Sequence, residues 1–156
     1  MLSFLKNLLG LNAVLAGKIR SDRLYYEAEA LMNAKDFGSA LPLMQKASDA
    51  GNKFAPAHAA MMLLKGQGAA PSWSEAVKYL ELAIARGEGN VHIVLGVVHG
   101  IGGYGLKRDP KIAEYHLTQS IEVDSDPAGE EMLAMLKKHQ GVFGGKEIPR
   151  PKIPWK

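Results

Sequence analysis

From residue 22 to residue 140 the apolar positions fall three and four apart, the period of helices that bury one face. No run of alternating β-branched residues predicts a strand. Leu24, Ala28, Leu31 and Met32 outline a helix over 24–33. Asp36 is placed to cap a second helix carrying Phe37, Ala40, Leu41, Met44 and Ala47, with Pro42 tolerated near its start and Gly51 as its stop. Ala55, Ala59, Ala60, Met62 and Leu63 mark a third, ended by the turn Gly66-Gln67-Gly68. Ser72 and Glu75 have capping-box spacing ahead of a fourth, whose face is Ala76, Tyr79, Leu80, Ala83 and Ile84. A fifth passes through Leu95 and Gly96 into the glycine-dense Gly102–Gly105 loop, and Asp109-Pro110 opens a sixth. Asp126-Pro127 starts a last helix with Met132, Leu133 and Leu136 apolar, Lys137, Lys138 and His139 near its end and Gly141 as its stop.

These helices repeat. Ala40, Ala76 and Ala113 are separated by 36 and 37 residues. Each follows a capping residue by four positions (Asp36, Ser72, Asp109) and precedes a small residue by seven (Ala47, Ala83, Ser120). Gly51 and Gly87 close the first two copies at equal offset. Such a period marks stacked helix pairs, here over 22–52, 53–89 and 90–124, with a capping helix over 126–140. The expectation is an all-α fold, a right-handed α-α solenoid of about three helix pairs occupying residues 1–140. Residues 141–156 are expected to form an extended, basic, Pro-rich tail, with Pro149, Pro151, Pro154 and a terminal Trp155.

The chain resembles the Sel-one-like repeat family, a branch of the tetratricopeptide-like solenoids. Ala60, Gly66, Gly68, Trp73, Ala76, Tyr79, Ala83 and Gly87 match that family's unit in the second repeat. Leu95, Gly96, Gly102, Gly105, Asp109 and Ala113 match it in the third, while Asp36-Phe37 with its short turn is nearer a plain tetratricopeptide unit. The third repeat departs at Pro110, where an aromatic is usual, and at Asp124, where a glycine is. Covering about residues 22–124, the resemblance implies a non-catalytic adaptor or scaffold, typically bacterial, that binds another protein or peptide and needs no cofactor. By the repeat register, the first helices of each pair line a concave groove. Tyr25, Glu29 and Met32 face it from the first repeat, Ala57, Met61, Leu64 and Lys65 from the second, and Ile93 and Val97 from the third. Trp155 is a further candidate contact. An immunity protein that neutralises a co-encoded toxin is the alternative reading, and a peripheral membrane adaptor a second.

Charge sharpens this picture at the ends. Residues 1–20 carry Lys6, Lys18 and Arg20 and no acid; residues 21–140 hold 12 basic and 15 acidic residues; residues 141–156 return to net positive. A nucleic-acid binder carries its basic stripe on the folded body, so nucleic acid is not expected as a partner. There is no cysteine, which removes disulfides, thiolate metal sites and thiol nucleophiles. Residues 1–19 form apolar rows, Leu2, Leu5 and Leu9 beside Phe4, Leu8, Leu11 and Leu15, with Ser3, Lys6, Asn7 and Gly10 largely opposite. They are expected to form an amphipathic helix packed on the solenoid. A cleaved signal peptide ending near Ala16, and a membrane-surface helix, remain open. Lys6, Asn7 and Asn12 interrupt the stretch too often for a membrane span. The location follows: cytoplasmic, or periplasmic if residues 1–16 are a signal peptide.

Catalytic chemistry finds little support. The histidines are His58, His92, His99, His116 and His139, without metal-ligand spacing, and His99 and His116 read as packing residues of one helix pair. The Gly100–Gly105 stretch lacks the Gly-Lys-Ser/Thr ending of a phosphate loop. Ser72 is accounted for as a cap, and Glu130 and Glu131 as a solvated face. The chain is not expected to be an enzyme.

Overall fold

In a computed structural model, residues 2–88 and 90–140 are described, with side chains described from Lys6 to Lys138 except that of residue 89. The described residues form seven helices and no strand: α1 (Leu2–Asn33), α2 (Phe37–Asp49), α3 (Ala55–Lys65), α4 (Trp73–Ala85), α5 (His92–Ile101), α6 (Pro110–Glu122) and α7 (Pro127–Gln140). The chain divides into two compact units, Met1–Glu88 and Gly89–Lys156. The tail with Trp155 lies outside the described residues.

In the first unit consecutive helices pack in turn, α1 on α2, α2 on α3 and α3 on α4. Ala28, Ala40, Met44, Ala47, Ala59, Ala60, Met62, Leu80 and Ala83 are wholly buried between them. The alanines keep backbones close, and the methionines fill the remaining gaps. Gly68 shows how close. Its φ is +85°, and a Cβ there would meet the carbonyl oxygen of Phe37 at the start of α2. The second unit is smaller, with Ala113, Leu117 and Leu136 buried among Ile93, Met132 and Leu133.

Most expected helix ends are built as the sequence proposes. Asp36 Oδ1 accepts from the Ser39 amide at 3.2 Å, and Asp109 Oδ1 from the amides of Lys111 and Ile112 at 3.0 and 3.1 Å. Asp126 Oδ1 accepts from the Ala128 amide at 3.0 Å. Gly51 and Gly87 take φ of +94° and +80° just past α2 and α4. Two expectations are corrected. The capping box at Ser72 does not form, since its side chain caps no amide of α4. The Ser72 amide that Glu75 would have to reach donates instead to the Leu63 carbonyl at 3.2 Å. The second correction concerns the helix expected over residues 1–19: its described part is not a separate helix, and residues 6–19 do not pack on the body. They run without a break into the helix expected over 24–33, as one 32-residue element. No proline interrupts it, and Ser21 satisfies its hydroxyl within the helix by donating to the Lys18 carbonyl. Every residue from Lys6 to Arg20 is exposed.

Candidate functional site

The contact that organises the first unit's surface lies between α1 and α3. The Tyr25 hydroxyl is 3.1 Å from His58 Nδ1, and the two rings stack with centroids 5.4 Å apart. Burial, then the charges of Glu29, Tyr26 and Glu88, push the Tyr25 pKa up, so the phenol keeps its proton as a hydrogen-bond donor. Tyr26 meets Tyr25 edge-on at 5.4 Å, Phe54 lies 6.3 Å away, and Lys53 Nζ sits 5.5 Å from the Phe54 ring centre.

Asn52, buried in the α2–α3 turn, holds this arrangement. Its Oδ1 accepts from the amides of Phe54 and Ala55 at 3.0 and 2.9 Å, and its Nδ2 donates to Asp22 Oδ1 on α1 at 3.0 Å. Its carbonyl, with that of Ser48, accepts from Arg86 Nη1 at the end of α4, both at 2.9 Å. A hollow of about 620 Å³ opens beside the cluster, bounded by Val14, Lys18, Asp22 and Tyr26 on one side and by Gly51 to Phe54 on the other. Another of about 450 Å³ runs along α4 past Glu75, Lys78 and Tyr79.

The Tyr25–His58 contact sets a register for the residues expected to line a groove. Glu29 and Met32 follow Tyr25 on α1 at four and seven positions; Met61 and Lys65 follow His58 on α3 at three and seven. These spacings keep each set on one helical face. Glu29, Met32, Ala57 and Met61 are half-buried and Lys65 is exposed, whereas Tyr25 and Leu64 are buried. Ile93 and Val97, both half-buried, belong to the second unit, where Ile93 packs against the Ala113–Leu117–Leu136 cluster. Trp155 lies outside the described residues. Tyr26, Asn52, Phe54 and His58 were not among the expected contacts. The available signals were the Tyr25-Tyr26 pair and an aromatic three residues beyond the stop glycine Gly51.

Three histidines gather in the second unit. His92 and His116 bring their Nδ1 atoms to 3.0 Å, and His99 stacks on His116 with centroids 6.3 Å apart. Burial, with the neighbouring His92 and His99, lowers the His116 pKa to about 4. Burial raises that of Asp124, with Asp126 adding to the rise and His92 opposing it. Among the described residues no group of three or more His, Cys, Asp or Glu could hold a metal ion. No protein-family model matches the chain, and no curated protein matches it.

Proposed function

We propose that the chain is a non-catalytic, protein-binding helical-repeat module of the Sel-one-like kind, a solenoid of about three helix pairs working in the bacterial cytoplasm. The observation that carries this reading is the burial of the repeat register. Ala40, Ala76 and Ala113, and seven positions later Ala47, Ala83 and Ser120, are all 0% exposed in the second helices α2, α4 and α6. Second helices that bury the same small residues leave the first helices to present a face, and the Tyr25–His58 contact aligns two such faces. Glu29, Met32, Ala57, Met61 and Lys65 form the strip on α1 and α3 that grips a partner segment, with methionine able to adapt to it.

The test is Met61→Glu in the full chain, alone and with Met32→Glu, against the partner that crosslinks to the wild type in its own cells. Both variants keep the helical circular dichroism of the wild type and weaken partner binding at least tenfold, a loss of about 1.4 kcal/mol or more. Undiminished binding refutes the strip, and unfolding by both substitutions refutes the register.

A further inference from the structure

The first half of α1 carries an apolar surface that stands exposed among the described residues. Leu9, Leu11, Val14, Leu15 and Ile19 are 55–71% exposed and Leu8 44%. The row that packs further along the helix, Ser21, Tyr25 and Ala28, runs back at three- and four-residue steps through Gly17, Val14, Gly10 and Asn7. These are mostly small or polar, and a Cβ at Gly10 or Gly17 would meet nothing within 4 Å. The leucines lie elsewhere. At about 100° per residue, Leu11, Leu15, Leu8, Ile19 and Leu9 fill an arc of about 160° on the opposite side, broken only by Asn12 among polar residues. Lys18 falls about 20° beyond one edge of that arc, next to Leu11, and Arg20 about 20° beyond the other, next to Leu9.

We propose that residues 6–20 of α1 lie flat in the surface of an anionic phospholipid bilayer and attach the chain to it. An apolar arc this wide exceeds the narrow seam by which two helices pair, and it suits a continuous apolar medium. A cation at each edge sits at headgroup level, its aliphatic stem lying along the leucines and its charge among the phosphates. The first 20 residues hold three basic side chains and no acid, so the field complements anionic lipid and opposes a second copy of the same segment. No helix among the described residues is long and apolar enough to cross a membrane, which leaves the interface as the place for this one. This attachment is independent of the groove on α1 and α3.

The experiment is co-sedimentation of the full chain with vesicles of phosphatidylcholine alone and of phosphatidylcholine mixed with phosphatidylglycerol. The chain binds the mixed vesicles at least tenfold more tightly, and added salt weakens that binding. Leu8→Ser with Leu15→Ser lowers it at least tenfold without moving the thermal midpoint, because both side chains are already exposed. Lys18→Gln with Arg20→Gln lowers it about thirtyfold, while Val14→Ser on the other side leaves it unchanged. Failure to bind either vesicle overturns the proposal, as does binding indifferent to the leucine and cation substitutions. So does a dimer, or a protein complex, that the leucine substitutions disperse in place of vesicle binding. A chain recovered from its own cells beginning after Ala16 overturns it too.

Discussion

At the scale of single residues, Asn52 does the work of several. It caps α3 through two amides, anchors α1 through Asp22 and receives Arg86 from the end of α4. Asn52→Ala removes the cap and leaves Asp22 without this donor, a loss of about 2–3 kcal/mol visible as a lowered thermal midpoint. Asn52→Asp restores the acceptor for the amides but sets a carboxylate against that of Asp22, so it recovers only part. A midpoint shift no larger than that of exposed Asn33→Ala would refute the assignment. The caps Asp36, Asp109 and Asp126 were legible because their amides lie two or three residues away. The links from Asn52 to Asp22 and from Arg86 to Asn52 span 30 and 34 residues, and no local pattern carries them. Ser72 marks the same limit from the other side: its spacing promised a box, and a distant carbonyl took the amide.

Among the elements, two glycines inside helices have opposite meanings that spacing alone does not separate. Gly96 on α5 lets α6 approach, since a Cβ there would lie 2.6 Å from Leu117 Cδ2 and 3.2 Å from the Leu117 amide nitrogen. Gly96→Ala therefore forces α5 and α6 apart and costs about 1–3 kcal/mol, although alanine is the better helix former. Gly17 on α1 has open space around it, so Gly17→Ala stabilises the helix by about 0.5–1 kcal/mol and slows amide exchange over residues 13–21. Urea titration of the first variant and hydrogen exchange of the second read these effects, and like signs for both would refute the distinction. Helix existence was legible from periodicity, and so were most ends. The continuity of α1 was not, because the apolar face moves round the helix between its halves and reads as two elements. The buried Gly96 was flagged by its Leu-Gly pattern, but which helix it admits required the fold.

At the scale of the whole molecule, the spacing that aligns Ala76 with Ala113 also aligns Tyr79 with His116, and so sets a titratable ring where an aromatic stood. His116 follows Ala113 by three positions, as Tyr79 follows Ala76. It faces His92 and His99 from α5, with Tyr115 beside it on α6, and Asp124 within the same unit interacts with His92 and Asp126. With its pKa lowered from 6.5 to about 4, folded His116 stays neutral where the unfolded chain takes up a proton. Stability is therefore full above about pH 6.5 and falls as pH drops towards 4. Discounted for a ring only half-buried, the loss between pH 7 and pH 5 is about 1 kcal/mol. Asp124, whose carboxyl burial pushes up, acts in the opposite sense at the lower end of the window, so the upper part gives the clearer slope. Amide exchange in α5 and α6 quickens over that range in the wild type. His116→Tyr places there the side chain found at position 79 and flattens the dependence, since a tyrosine there has no proton to gain. An unchanged pH slope in that variant would show that the histidine pair does not set the acid limit of the fold.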